Sequence, residues 1–131
     1  MEERKIKFRA KNKETKEFVY GFLFFSVDCG IVKFCGYNVN SQIEKLINCV
    51  QYTEVKDKNG IEIYEGDIVY GAAHWLERYK PAVVTFRNGS FGLLWYRGEV
   101  EEFNPFTSMY NVEYEVVGNI YDNPELMEER I

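Results

Sequence analysis

The stretch QYTEVKDKNGIEIYEGDIV, residues 51–69, holds two strands, two turns and the beginning of a third strand. Residues 51–55 alternate between two faces and are rich in β-branched and aromatic side chains, as in a half-buried strand. Asn59-Gly60 then stops the run, and Asn-Gly is the strongest short signal for a β-hairpin because both residues tolerate positive φ. Residues 61–64 alternate again, and Glu65-Gly66-Asp67 turns the chain into a third apolar run.

Strand patterns continue on both sides of this stretch. A second Asn-Gly pair, Asn88-Gly89, predicts another hairpin, and Asn123-Pro124 predicts a final helical turn. Ser41 and Glu44 have capping-box spacing, which predicts a short helix from Gln42, whereas the same region also suits a strand that begins near Leu46. The remaining strands are predicted at residues 5–10, 18–25, 31–34, 82–86, 91–96 and 112–121, with loops at 71–81 and 99–111.

Composition favours antiparallel β structure in a single domain of 131 residues. Aromatic residues make up 17% of the chain, and large rings pack well across antiparallel strands. We therefore predict an α+β fold that is mainly antiparallel β. A Glu-Gly-Asp turn followed by apolar residues is typical of small SH3-like barrels, so residues 60–131 are predicted to form one. Residues 1–59 are predicted to form a β-rich subdomain with a short helix.

The two ends of the chain carry opposite charge. Residues 1–17 hold seven basic and four acidic side chains, and residues 99–131 hold one basic and nine acidic side chains. This pattern suits either a contact between termini or two solvated surfaces. The net charge of −5 argues against nonspecific binding to DNA, whose affinity depends on neutralising phosphates.

An apolar run, FVYGFLFF at residues 18–25, predicts self-association. As a strand it has apolar side chains on both faces, and a chain of this length has little material to cover both. We therefore predict a homo-oligomer, in which basic N-terminal and acidic C-terminal segments meet. No run is apolar enough to span a bilayer, and the start MEERK lacks a signal region, so a cytoplasmic protein without membrane contact is predicted.

Residues with the chemistry of a binding site occur in the second turn and in the loop predicted after β-strand residues 68–70. Glu65 and Asp67 flank a glycine, where carboxylates either hold a cation or bond to backbone N–H groups. His74, Trp75 and Tyr79 lie in the predicted loop and complete the candidate binding surface. His74 lacks the nucleophile and orienting partner of a catalytic histidine.

No cofactor is predicted from the sequence. A Cys₃His zinc site would need Cys29, Cys35, Cys49 and His74, but no two of these lie two to four residues apart. Phosphate-binding loops, dinucleotide fingerprints and metalloprotease motifs do not occur. The three cysteines are predicted to be reduced and mostly buried.

Three blocks of the chain resemble the YopX proteins, which bacteriophages and prophages encode and which have no established biochemical activity. The blocks are IKFRA at residues 6–10, residues 51–69, and VGNIYDNPEL at residues 117–126. Two departures stand out: the family usually has Trp-Asp where this chain has Lys11-Asn12, and Gly where it has Glu54. The three blocks frame the whole chain, whereas residues 11–48 and 71–114 match the family poorly. The resemblance implies a phage or prophage protein acting inside a bacterial host.

Three functions are compatible with these observations. The first is a non-enzymatic module that binds a host or phage protein. The second is a nucleic-acid-associated accessory factor that uses the basic residues near the N-terminus: Arg4, Lys5, Lys7, Arg9, Lys11 and Lys13. The third is an enzyme of unknown class built around Glu65 and Asp67.

Overall fold

Two β-rich units make up the protein, one from Met1–Glu54 and one from Val55–Ile131. The structure is a computed structural model that describes residues 6–26, 31–36, 40–42, 46–72, 81–97, 99–108 and 113–128. The first unit contains β1 (Phe8–Asn12), β2 (Phe18–Ser26), β3 (Ile31–Gly36), β4 (Asn40–Gln42) and most of β5 (Leu46–Lys56). These strands form an antiparallel sheet in the order β4-β3-β2-β1-β5.

The second unit begins at the end of β5, which has β6 (Glu62–Tyr64) as its sheet neighbour on the side away from β1. A five-stranded antiparallel sheet follows in the order β10-β9-β8-β7-β11. Its strands are β7 (Asp67–Ala72), β8 (Pro81–Arg87), β9 (Ser90–Arg97), β10 (Val100–Pro105) and β11 (Glu113–Asn119). Two 3₁₀ segments, Phe106–Ser108 and Pro124–Glu128, are the helical elements of the described residues.

Both Asn-Gly hairpins are confirmed. Asn59-Gly60 lies between β5 and β6, and Gly60 has φ +80°. Asn88-Gly89 joins β8 to β9, with φ +53° and +80°, so both residues take the left-handed conformation that a two-residue type I′ turn requires. The helical turn after Asn123 is confirmed as the 3₁₀ segment, and the strand beginning at Leu46 is confirmed. The alternative helix falls mainly on residues 43–45, outside the described residues.

The predicted mainly antiparallel β fold is confirmed, but two finer parts of that prediction, the α+β class and the SH3-like barrel, are not. In the described residues the fold is almost entirely β, and its five-stranded sheet is open rather than closed into a barrel. Closure requires the two edge strands, β10 and β11, to pair with each other. The outer edge of β11 instead accepts the Asn59-Gly60 turn: the N–H of Lys58 donates to the carbonyl of Tyr114 at 2.9 Å. That contact occupies the edge that barrel closure would need.

One prediction about a single segment is also wrong. Residues 99–111, rich in acidic and aromatic residues, are predicted to be a loop, yet Val100–Pro105 is a strand paired with β9 over six residues. Charge on an edge strand protects it from pairing with other chains, so acidity is compatible with a strand there. Of the three cysteines that are predicted to be mostly buried, Cys49 is exposed at a bulge of β5, and the side chains of Cys29 and Cys35 lie outside the described residues.

Each unit has its own apolar core. In the first, Ala10 and Leu46 are buried, with Phe8 and Val19 packed against them. In the second, a larger cluster comes from alternate residues of several strands, and it comprises Ile63, Val69, Ala82, Val84, Leu93, Trp95 and Tyr114. Among the described side chains, the period of two therefore places one face of most strands in a core.

Glu54 has a strained backbone, and replacing it with Gly should stabilise the protein. Its φ is +70°, in the region that non-glycine residues avoid, and glycine usually stands there in the resembling family. We expect Glu54→Gly to raise the free energy of unfolding by about 0.5–1 kcal/mol. Glycine removes the backbone strain, and part of that gain is offset because glycine has more conformational entropy in the unfolded chain. Thermal unfolding should show a midpoint about 2–5 °C higher.

Glu54→Ala is the matched control for this prediction. Alanine removes the same side chain and keeps the backbone strain, so its midpoint should not rise. If Gly and Ala change the midpoint equally, the side chain matters and the φ angle does not.

Candidate functional site

Asp57, in the first hairpin turn, holds distant parts of the second unit together. Its Oδ1 accepts the backbone N–H groups of Asn59 at 2.8 Å and Ile61 at 2.9 Å. Its Oδ2 accepts the N–H of Val116 on β11 at 3.1 Å. The carboxylate is buried, with 6% of the residue exposed. One side chain therefore both shapes its own turn and fixes that turn to β11.

Burial and hydrogen bonding act in opposite directions on the pKa of Asp57. Burial alone would raise it, but the three backbone N–H donors and the positive charge of Lys58 together hold it below its ordinary value. The carboxylate is therefore ionised at neutral pH, and it serves as a hydrogen-bond acceptor for the backbone.

Asp67, predicted as part of a binding surface, serves the second turn. It is buried, and its Oδ2 accepts the N–H of Tyr64 at 2.8 Å. Gly66, in the same turn, has φ +90°. Its N–H donates to the carbonyl of Val84, and its carbonyl accepts the N–H of Ile120 at 2.9 Å. Glu65 is half-buried in the same turn. Backbone bonding at this turn does not favour an enzyme built around Glu65 and Asp67.

Asn119 organises the closing motif of the chain. Its Oδ1 accepts the N–H groups of Tyr121 and Asp122, at 3.0 and 2.9 Å. Its Nδ2 donates to the carboxylate of Asp122 at 3.1 Å, and its own N–H donates to Oδ1 of Asn123 at 3.3 Å. Since Gly66 bonds to Ile120, the second and third blocks of the sequence resemblance meet here. Their polar residues stabilise the fold.

The other predicted site residues, His74, Trp75 and Tyr79, lie outside the described residues. Their part in a binding surface stays a prediction. Among the residues that the structure describes, no three His, Cys, Asp or Glu side chains come together as ligands of a metal ion. No helix within those same residues is long and apolar enough to cross a membrane.

A different surface emerges on the sheet of the first unit, where β1 and β2 pair. The register places Lys11 opposite Phe18 and Arg9 opposite Tyr20. Because side chains alternate along a strand, these residues share one face with Lys7 and Phe22, while Phe8, Ala10 and Val19 turn to the core. We call this surface the aromatic–basic face, and it consists of Lys7, Arg9, Lys11, Phe18, Tyr20 and Phe22.

The rings of the aromatic–basic face are exposed. Phe18, Tyr20 and Phe22 are 39%, 41% and 55% accessible, and the centroids of the first two rings lie 6.4 Å apart. Large apolar side chains exposed in a row are uncommon on a surface that only meets water. This row is therefore a candidate contact surface.

Cations flank these rings. The guanidinium of Arg9 lies 4.6 Å from the ring centroid of Phe18, and the Nζ of Lys11 lies 4.9 Å from it. Tyr52 lies on β5, the other neighbour of β1 in the sheet, and the Nζ of Lys7 lies 5.6 Å from its ring centroid. Such cation–π contacts hold ring and cation in fixed relation. Arg9 is buried, whereas Lys7 and Lys11 are partly exposed.

Charge differs between the two units. Residues 1–54 carry nine basic and seven acidic side chains, whereas residues 55–131 carry seven basic and fourteen acidic ones. The cations of β1 thus belong to a unit of net charge +2, although the whole chain is acidic. This local excess lets the aromatic–basic face attract an anionic group.

The sequence shows both halves of this face, the basic residues and the apolar run, but it does not show that they pair, because the pairing depends on the β1–β2 register. The signal in the sequence that points to the pairing is the alternation of KFRAK against FVYGF across the turn at residues 13–15. Lys7, Arg9 and Lys11 have the same parity, as do Phe18, Tyr20 and Phe22.

The strands and the hydrogen bonds of Asp57, Asp67 and Asn119 define an antiparallel β protein of two sheets, whose sequence motifs form turn contacts. The chain belongs to the YopX protein family, whose family model matches residues 7–128. A similar fold occurs in the crystal structure of protein EF1440 from Enterococcus faecalis, with a TM-score of 0.56 and 23% sequence identity. That likeness covers 95% of this chain and 99% of the other. None of the curated proteins matches the chain.

Proposed function

We propose that this protein is a non-enzymatic interaction module of a phage or prophage, working in the cytoplasm of a bacterial host, and that the aromatic–basic face binds its partner. The observation that carries the proposal is the exposed row of Phe18, Tyr20 and Phe22 beside the cations of β1. Transferring one large side chain from water into a contact is worth roughly 1.5–3 kcal/mol. The three neighbouring rings are about half exposed, so each contributes part of this free energy, and together they favour a complex at this face.

The chemistry of the face selects the kind of partner. Lysines beside the rings favour a partner that is negatively charged and offers apolar or planar groups. A host or phage protein and a nucleic acid are the two partner classes predicted from the sequence. A nucleic acid and an acidic surface on such a protein both meet this description. A symmetric homo-oligomer through this face would bring like cations together, which disfavours it. The acidic second unit of another copy is the complementary surface for self-association.

Affinity capture from bacterial host cells tests the proposal. Tagged protein should retain its partner, and Phe22→Ala should release most of it because the most exposed ring of the row is lost. Phe86→Ala is the matched control, since Phe86 is 51% exposed but lies on β8 of the second unit. Light scattering of the same variants reports any change in self-association.

Equal capture by the wild-type protein and Phe22→Ala would show that the partner binds elsewhere. Loss of capture with Phe86→Ala alone would move the binding surface to the second unit.

A further inference from the structure

We infer that the aromatic–basic face binds single-stranded nucleic acid, with bases stacked on the rings of β2 and phosphates near the lysines of β1. This inference rests on the proposed function and names the chemical class of its partner. It follows from how rings and cations repeat along the two paired strands.

The repeat of the face matches the composition of a nucleotide chain. Phe18 is paired with Lys11, and the same register places Lys7 opposite Phe22, while the buried Arg9 lies opposite Tyr20. Alternate residues of a strand lie about 6.6–6.8 Å apart, and the Phe18 and Tyr20 rings are 6.4 Å apart. A nucleotide chain likewise repeats planar bases with anionic phosphates beside them. Phe22 adds one further ring to the same row.

A single strand suits this surface better than a duplex. Bases within a duplex stack on one another and present only their edges in the grooves, whereas unpaired bases expose the faces that aromatic side chains stack on. Open β-sheets that carry exposed rings and basic side chains bind single strands in this way. Stacking is tolerant of sequence, so little base preference is expected.

Planar stacking also favours a nucleic acid over an acidic protein. Carboxylates of an acidic protein would neutralise Lys7 and Lys11, and its apolar side chains could cover the rings. A nucleic acid, however, joins a planar base and an anionic phosphate in every repeating unit, as the rings and cations of this face repeat. Arg9 is buried against Phe18, at 4.6 Å, so it holds that ring in place rather than meeting the ligand. The contacting groups are then the three rings and the two lysines.

Fluorescence anisotropy with a labelled oligothymidine of about 15 nucleotides tests this inference, because that length is near the upper end of known single-strand sites. At low salt we expect half-saturation on the order of 1–100 μM and loss of binding near physiological salt, given the negative net charge. Tyr20→Ala and Phe22→Ala should each weaken binding about tenfold to a hundredfold. Phe86→Ala should leave binding unchanged.

Salt dependence separates the role of the lysines from that of the rings. Lys7→Gln and Lys11→Gln should each reduce the slope of log K against log salt by about 0.7, the value for one phosphate of a single strand. Lys58→Gln is the matched control, since Lys58 is exposed in the second unit. Ring variants should weaken binding and keep the slope. A duplex of the same length should bind more weakly than the single strand.

Absence of oligothymidine binding at low salt overturns the inference, as does binding that Phe22→Ala and Lys11→Gln leave unchanged or that is equal for the duplex. If oligothymidine does not bind but Phe22→Ala still releases an acidic protein in affinity capture, the proposed function stands and this inference is wrong. If Phe22→Ala alters neither measurement, both are wrong.

Discussion

Replacing Asp57 with Ala is expected to lower the free energy of unfolding of the second unit by about 3–5 kcal/mol. The substitution leaves the N–H groups of Asn59, Ile61 and Val116 without their acceptor. The three hydrogen bonds are partly buried, and a hydrogen bond to a charged acceptor is worth about 1.5–3 kcal/mol, more than one between neutral groups. Because domains have only about 5–15 kcal/mol of stability, the effect should be severe. Urea unfolding followed by tryptophan fluorescence, with Trp95 in the core, measures it.

Two further variants show that the loss comes from these hydrogen bonds. Asp57→Asn keeps one oxygen and replaces the other with an amide group that cannot accept, so it should fall between wild type and Ala. Asp122→Ala removes an exposed carboxylate whose Oδ2 accepts from the Nδ2 of Asn119, and it should cost no more than about 1 kcal/mol. Equal losses for Asp57→Ala and Asp122→Ala would contradict the structural role of Asp57.

The same carboxylate gives an acid-sensitive contribution to stability. The pKa of Asp57 is lower in the folded protein than in the unfolded chain, so the folded protein binds this proton less tightly. The contribution is therefore complete above the ordinary aspartate pKa of about 4 and is lost as the pH falls through the lowered folded value. Asp57→Asn should remove this part of the pH dependence. A wild-type protein and an Asp57→Asn variant with parallel stability curves below pH 4 would show that Asp57 does not carry it.

Local signals were enough to predict the hairpins, because an Asn-Gly turn depends on the φ angles of its own residues. The contacts that shape the second unit depend on residues far apart in the chain. Asp57 and Val116 are separated by 59 positions, and nothing in the turn sequence indicates which strand its carboxylate binds. The predicted barrel failed at this point, since the turn occupies the outer edge of β11.

The candidate surface shows the same division between local and distant information. Alternation predicted that one face of residues 18–25 would need a cover, and the exposed rings of β2 agree with that expectation. Alternation did not show that cations would lie opposite the rings, because the register of β1 and β2 decides it. For the carboxylates near turns, the local pattern was misleading. Asp67 has the side chain of a ligand-binding residue, but its carboxylate accepts a hydrogen bond from the backbone N–H of Tyr64.

Gly92→Ala is expected to be the second large loss, about 2–4 kcal/mol, for a steric reason alone. Gly92 on β9 pairs with Pro105 on β10. A Cβ at position 92 would overlap the carbonyl oxygen of Asn104 and lie 2.6 Å from the Cα of Pro105. Both are backbone atoms, so the two strands would have to separate. Glycine occurs inside strands where another backbone approaches this closely.

Gly89→Ala distinguishes this steric effect from backbone strain. Position 89 has φ +80° and nothing within 4 Å of an added Cβ, so alanine there should cost only the conformational penalty of about 1–2 kcal/mol. Urea unfolding of both variants should therefore show the larger loss for Gly92→Ala. Amide hydrogen exchange should be faster along β10, because the strand that moves is the edge strand with β9 as its neighbour in the sheet. A smaller loss at Gly92 than at Gly89 would mean that β10 shifts away at little cost and contributes little to holding the second unit together.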